Sequence, residues 1–220
     1  MFPDPIIEYD FENVYNPGED SYLILDFIKN NINSEYFDGI HLKDIKNILD
    51  MGTGTGIIAT MLAIIKKKSL KFNPSIYASD ILDEAISLAK RNAELNSVRN
   101  EIVFIKSDLF TSFPSELRGI FDIIFFNPPY LPSIKSSENV KLDFSWNGGR
   151  KGFEIFIEFL HQAKDYLNQK NNPRIYYICS SAVNLDRFYE IIEKKGFKNK
   201  NLDKKRVFME EIYLNRLEIK

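Results

Sequence analysis

The stretch ILDMGTGTG, Ile48 to Gly56, decides how this chain folds. It closes a short strand read over Lys46 to Asp50, runs through three alternating glycines, and passes at once into an apolar helix from Ile57 to about Lys67. A strand that enters a helix through glycines opens a parallel α/β unit, because glycine permits the tight turn and brings helix N-terminal amides close to a ligand. The spacing is not the dinucleotide fingerprint, which needs glycine where Ile57 stands. Asp50 just ahead of the glycines would repel a pyrophosphate and attract the cationic end of a ligand.

Working outward, hydrophobic periodicity places strands at Ser75 to Asp80, Glu101 to Lys106, Phe121 to Phe126 and Arg174 to Cys179, with a closing strand over Val207 to Ile219. Helices fall at Glu19 to Ile32, Asp83 to Asn96, Gly152 to Leu167 and Asn184 to Lys195. Strands separated by helices imply parallel pairing through right-handed crossovers, hence a doubly wound α/β sheet with ligands at the carboxyl ends of its strands. Asp50, Asp80, Asp108 and Asn127 each sit at or just beyond such an end.

Composition narrows the function classes. At 220 residues, 44% hydrophobic and 27% charged, the chain reads as one soluble domain, residues 1–220. A net charge of -2 gives no general attraction for nucleic acid. One cysteine, Cys179, rules out an internal disulfide framework, and with two histidines it cannot build a usual structural zinc site. The longest apolar run, Ile57 to Ile65, is far short of the roughly 20 residues of a membrane span. The acidic, proline-bearing start does not look like a signal peptide, so a cytoplasmic location is the expectation.

The three acids describe one ligand. Asp50 faces a cationic tail, Asp80 stands where a carboxylate accepts both hydroxyls of a ribose, and Asp108 is placed to meet an adenine amine while Leu109 packs on the ring. Taken singly, each Asp after a strand could be a helix cap or turn residue. Taken together they suit S-adenosyl-L-methionine, leaving as S-adenosyl-L-homocysteine.

The strand end IIFFNPPYLP, Ile123 to Pro132, supplies the chemistry. Pro128 and Pro129 fix their own backbone angles and restrict the residue ahead, holding Asn127 and the following carbonyls still. A planar NH2 presents two N–H donors, which the Asn127 side-chain oxygen and the Pro128 carbonyl could accept, while the Tyr130 ring stacks on the substrate and tolerates a sulfonium. Positioning is then the main source of rate. Adenine, guanine and cytosine amines and a glutamine amide all present such a group, and a plain proline-rich turn is the bland alternative.

DMGTGTG, the Asp80 strand end, SDLF and NPPY together resemble the class I methyltransferases, and NPPY resembles their amino-methyltransferase branch. The resemblance runs from about Val14 to Phe153 and implies a Rossmann-like, seven-stranded sheet with the last strand antiparallel, flanked by helices. Upstream, NVYNPGEDSYLIL resembles the Y-x-P-x-E-D-[ST] segment of the HemK-like release factor glutamine methyltransferases of the short archaeal and eukaryotic type. Tyr15, Pro17, Glu19, Asp20 and Ser21 match it, although a helix start alone would explain the two acids. The segment SWNGGRKG, Ser145 to Gly152, resembles the W-x-GG-x-x-G stretch that follows NPPY there.

By that resemblance, residues 1–35 form a cofactor-covering segment and helix. Tyr15, Pro17, Glu19, Asp20, Ser21, Asp50, Gly52, Thr53, Gly54, Gly56, Asp80, Ile81, Asp108, Leu109 and Asn127 are implied to hold the cofactor, and Asn127, Pro128, Pro129 and Tyr130 to serve catalysis. The implied reaction is methylation of the side-chain amide nitrogen of the GGQ glutamine in a class I translation termination factor. Methylation of an exocyclic adenine amine in RNA or DNA is the alternative, and a nucleoside-binding module without activity is a third reading. The basic stretch Lys194 to Arg206 fits a solvated helix end or hairpin better than a nucleic-acid patch. The strand Glu101 to Lys106, apolar from Ile102 to Ile105 and at the sheet edge in the family's order, is expected to be covered by the small zinc-ribbon activator that the resemblance implies, or by helices of the same chain. Trp146 has no role derivable from its neighbours, with a core position as the default.

Overall fold

The computed structural model describes residues 2–69, 71–133 and 147–220; Ser145 and Trp146 lie outside them. In chain order the elements are α1 (Glu19–Asn31), β1 (Tyr36–Phe37), β2 (Ile40–His41), β3 (Asn47–Met51), α2 (Ile57–Lys68), β4 (Ser75–Asp80), α3 (Asp83–Leu95), β5 (Ile102–Lys106), β6 (Ile123–Phe126), α4 (Glu154–Ala163), β7 (Arg174–Ser180), α5 (Leu185–Lys194), β8 (Phe197–Val207) and β9 (Glu210–Ile219). Seven strands form one sheet in the order β5-β4-β3-β6-β7-β9-β8, and β1 with β2 forms a small separate hairpin. From β5 to β7 all pairs are parallel, while β9 runs antiparallel to both β7 and β8. The expected doubly wound sheet with its last strand antiparallel is what the chain forms.

Strict alternation along the central strands builds two cores. In β6, Ile123 and Phe125 join the cluster under α1 and α2, while Ile124 and Phe126 join the one under α4 and α5. A strand buried on both faces must be apolar throughout, which is why IIFF shows no polar alternation. Asp122 anchors the opposite end of this pair: its carboxylate accepts the Lys46 and Asn47 backbone N–H groups at 2.7 and 3.0 Å and the Asn168 and Asn171 side-chain amides at 2.8 and 3.1 Å.

The chain leaves β3 toward β4 and β5, then returns to its other side as β6. β3 and β6 therefore flank the point where the winding reverses, and Met51 pairs with Phe126 in register. The glycine turn after β3 and the Asn-Pro-Pro-Tyr loop after β6, 71 residues apart from Gly56 to Asn127, leave neighbouring strand ends on the same side.

Several expected boundaries move for identifiable reasons. The helix expected from Gly152 begins at Glu154, because Gly152 is left-handed (φ 82°), and it ends at Ala163, after which Leu167 pairs with Phe121. The closing strand starts at Glu210 rather than Val207, which belongs to β8; the turn between them is Phe208 and Met209. The basic stretch, expected as a helix end or hairpin, is both: Lys194 ends α5, and β8, an 11-residue edge strand, forms an antiparallel hairpin with β9 through a register shift at Asn201/Asp203. Its lysines give an edge that resists pairing with other chains, a use of charge that leaves no periodic apolar face to read. Strand β5 starts at Ile102, since Glu101 closes a short 3-10 turn. The β1–β2 hairpin, two residues a strand, was too short to leave a pattern.

Candidate active site

A cavity of about 370 Å³ opens at the carboxyl ends of β3, β4, β5 and β6. Of the residues expected to act there, Tyr15, Pro17, Ser21, Gly52, Thr53, Gly54, Asp80, Ile81, Asp108, Leu109, Asn127 and Pro129 share its wall. Residues that the sequence reading missed complete it, among them Val14, Met51, Leu82, Ser107, Phe126, Ile155 and Glu158. Val14, Ser107 and Leu82 are next to predicted positions, so proximity was a usable signal. Ile155 and Glu158 come from a helix with no motif at all, and only packing brings them in.

The glycine turn owes its shape to backbone that other residues rarely adopt. Gly52, Gly54 and Gly56 all have positive φ, at 62, 54 and 79°. At Gly56 a Cβ would also meet the Ala89 Cβ at 2.8 Å, so α2 and α3 pack through this glycine. Gly56 thus stands behind the cavity rather than in its wall. Asp50 likewise lies beneath the turn: fully buried, it accepts the Thr53 hydroxyl at 2.6 Å and the Ala59 backbone N–H at 3.1 Å. Asp50, expected to meet a cationic tail, does not share the cavity wall: both donors held by its Oδ2 come from the turn and helix α2.

Burial pushes the Asp50 carboxyl up to about 7. The folded chain therefore holds its proton where the unfolded chain, titrating at about 4, has lost it. Its contribution to stability is full below about pH 4 and is lost as pH rises through about 7. Urea unfolding should show Asp50→Asn gaining stability relative to the parent between about pH 4 and pH 8, and a difference independent of pH would count against this assignment.

Asp80 closes β4. Its Oδ2 accepts the Gly54 backbone N–H at 2.9 Å and its Oδ1 that of Leu82 at 3.0 Å. Burial raises its pKa, and these amides oppose the rise. A carboxylate has about four lone-pair sites, and Asp80 lines the cavity. Beyond β5, Asp108 is exposed and Leu109 is left-handed with φ 45°, a conformation rare for a non-glycine residue.

The N-terminal segment lies across this side of the cavity. Asn92 of α3, wholly buried, donates to the Glu8 carbonyl at 3.1 Å and the Thr55 carbonyl at 2.9 Å, while its Oδ1 accepts the Glu8 N–H at 2.7 Å. Asn96 makes the same paired contact with Ile6, at 2.9 and 2.7 Å. These two amides act as a short stretch of strand, fastening the segment that carries Val14, Tyr15 and Pro17 into the cavity wall.

At the other end, Asp20 of α1 is 2% exposed, and its Oδ2 accepts the Tyr15 hydroxyl at 2.9 Å, the Asn127 Nδ2 at 3.0 Å and the Tyr130 hydroxyl at 3.1 Å. Burial first, and the Asp20 charge next, raise the pKa of Tyr15 and of Tyr130, so both remain protonated donors. With its nitrogen so engaged, Asn127 is left with a buried Oδ1 that has no hydrogen-bond partner among the described residues. Glu19, also expected at the cofactor, instead points outward and ion-pairs with Lys205. Pro128 is buried behind the loop, and Tyr130 is half-buried with its hydroxyl on Asp20.

The segment after Asn147 braces this loop. Gly148 donates its N–H to the Leu131 carbonyl at 2.9 Å, and Ser133 donates to the Gly149 carbonyl at 2.8 Å. At Gly152, with φ 82°, a Cβ would meet the Tyr130 carbonyl oxygen and Val183 Cγ1, both at 2.7 Å. Gly152→Ala should therefore cost about 1–3 kcal/mol and displace the loop, seen as a lower melting temperature together with reduced turnover.

The methyltransferase small domain family model matches residues 36–176. A Methanocaldococcus jannaschii protein provisionally named as a protein N5-glutamine methyltransferase is 38% identical over 191 residues, covering 84% of this chain and 81% of that one. The eRF1 methyltransferase catalytic subunit of Schizosaccharomyces pombe is 32% identical over 202 residues, covering 86% and 81%. Among solved structures, the E. cuniculi Mtq2–Trm112 complex, responsible for methylation of the eRF1 termination factor, superposes with a TM-score of 0.62 at 21% identity over 94% of this chain and 99% of that chain. The cavity between glycine turn and Asn-Pro-Pro-Tyr loop, the sheet order and these relatives agree: the chain belongs to the methyltransferase small domain family, in the branch of the release factor glutamine methyltransferases.

Proposed function

We propose that this chain methylates the side-chain amide nitrogen of the glutamine in the GGQ loop of a class I translation termination factor, using S-adenosyl-L-methionine. The observation that carries the reading is the Asn127 Oδ1, a buried acceptor with no partner among the described residues. Leaving such a group unsatisfied costs about 1–3 kcal/mol, so it marks a place that an N–H donor should fill.

The residues present fit the cofactor. Asp80, a carboxylate in the cavity wall, is suited to the ribose hydroxyls; Asp108 and Leu109 to the adenine; Gly52, Thr53 and Gly54 to the amino-acid end, with Tyr15, Pro17, Ser21 and Ile81 closing over it. When bound, the cofactor supplies a methyl group on a sulfonium, and product S-adenosyl-L-homocysteine leaves by the same cavity. Asn127 Oδ1 accepts one hydrogen of the substrate amide and the Pro128 carbonyl the other, turning the nitrogen lone pair toward the cofactor side. Pro129 keeps that geometry rigid, and the Tyr130 ring bounds the planar group. The surplus proton leaves after transfer, from a nitrogen far more acidic than the starting amide.

The relatives' substrates favour glutamine over a base amine, and so does the absence of net positive charge. Edge strand β5 supports a partner as well: it is apolar from Ile102 to Ile105, Val103 is 51% exposed, and Phe104 lies under the Arg99 guanidinium. A small activator, of zinc-ribbon type by the family resemblance, would add a strand there. No helix among the described residues is long and apolar enough to cross a membrane.

The purified chain, with and without such an activator, should transfer label from S-adenosyl-L-methionine to a termination factor, mapped by mass spectrometry to the GGQ glutamine. Label on total RNA and not on the factor would overturn the assignment.

A further inference from the structure

We propose that Asp20 is a positioning residue for methyl transfer: it holds the Asn127 amide with the oxygen turned to the acceptor amine, and it does not bind the cofactor. The inference rests on the reading above that Asn127 grips a planar NH2.

Two observations separate Asp20 from the cofactor set. It does not contribute to the cavity wall, although its neighbours Ser21 and Pro17 do. Its acceptor capacity is also already taken. Oδ2 receives Tyr15, Asn127 and Tyr130, and Oδ1 receives the Ser21 N–H at 2.6 Å and the Ser21 hydroxyl at 3.3 Å. Five donors converge on a group with about four lone-pair sites, so none remains for a ligand.

The orientation of Asn127 follows from charge. Its amide could point either end at Asp20, but oxygen against a carboxylate would set two acceptors face to face, whereas nitrogen makes a charge-assisted bond. The Ser21 hydroxyl, 3.4 Å from the same nitrogen, adds a second acceptor. Asp20 thereby forces Oδ1 into the place where it has no partner among the described residues. Its position in the first turn of α1, where a negative charge is favoured by the helix dipole, and the two tyrosine donors make the carboxylate tolerable at 2% exposure. The same carboxylate joins the N-terminal segment through Tyr15, helix α1, and the loop after β6 through Asn127 and Tyr130. An exchange of Asp20 for an amide of equal shape removes the asymmetry that fixes Asn127, since an asparagine can donate as readily as accept.

Steady-state kinetics and calorimetric cofactor binding on Asp20→Asn test this, alongside NMR of the Asn127 side-chain amide, assigned by its loss in Asn127→Ala. Turnover should fall about 10²-fold while the dissociation constant for S-adenosyl-L-methionine stays within about threefold. The Asn127 amide protons should exchange slowly with solvent in the parent and much faster in Asp20→Asn. Cofactor affinity falling in step with turnover would overturn the proposal, and so would unaltered turnover. If Asp20→Asn does not fold, the parent protein decides alone: fast exchange of the Asn127 amide overturns the proposal and slow exchange supports it. Should the labelled acceptor prove to be RNA, the glutamine assignment fails, while the split between turnover and cofactor binding measured on that acceptor still decides the role of Asp20.

Discussion

Asn127→Ala is expected to lower the turnover number by about 10²–10³-fold or more while leaving cofactor affinity within a few-fold of the parent. In the proposed reaction the side chain supplies the acceptor that orients the reacting nitrogen, and alanine would leave that nitrogen free to rotate its lone pair out of line. The groups proposed to anchor the cofactor, Asp80, the glycine turn and the Leu109 side of the cavity, remain intact. The substitution also strips one donor from Asp20, but Tyr15 and Tyr130 continue to satisfy the carboxylate, so the fold should persist. Single-turnover methylation and calorimetric titration check both halves. Equal losses in turnover and in cofactor affinity would show that the site has been divided wrongly.

Asp80→Ala should do the opposite, weakening cofactor binding by roughly 10²-fold or more. Hydrogen bonds to a charged group contribute about 1.5–3 kcal/mol each, and every 1.4 kcal/mol is a factor of ten. Two ribose hydroxyls would lose their acceptor at once. The Gly54 and Leu82 N–H groups also lose theirs, which loosens the glycine turn against the end of β4 and adds to the loss. At saturating cofactor, turnover should recover much of the parent value, because Asp80 does not touch the nitrogen that is methylated. Failure to recover would mean that Asp80 helps to set the reacting geometry.

Much of this site was legible because its residues follow strands. A parallel strand delivers whatever succeeds it to one end of the sheet, so Asp80, Asp108 and Asn127 could be gathered from strand ends alone. The unpartnered acceptor was legible only in kind: the prolines announced a rigid Asn, but not that its nitrogen would be tied down. Where a residue's role depends on contacts far along the chain, local pattern does not settle it. Glu19 and Asp20 are adjacent, both acidic and both in the first turn of α1, and the same cofactor role was expected of each. Helical geometry sends one out to Lys205 and the other inward to Asn127, 107 residues away. The same limit applies to Asp50, whose place before the glycines suggested a ligand contact, although it lies outside the cavity wall and its Oδ2 holds Thr53 and Ala59. The basic stretch Lys194 to Arg206 does run from a helix end into a hairpin, but the extent of β8 left no pattern, because an edge strand with lysines on both sides of its bulge has no apolar period to show.

By itself, the amino-acid sequence determined the class of fold and the nature of the chemistry, since alternating burial, glycine turns and a proline-locked Asn are local properties encoded within a few residues. The tertiary structure alone decided which groups face the ligand and which brace those that do. That division follows from the winding reversal between β3 and β6, which brings α1, the glycine turn and the Asn-Pro-Pro-Tyr loop to one place, and from the rule that a buried carboxylate must collect its donors from whatever segments pack around it.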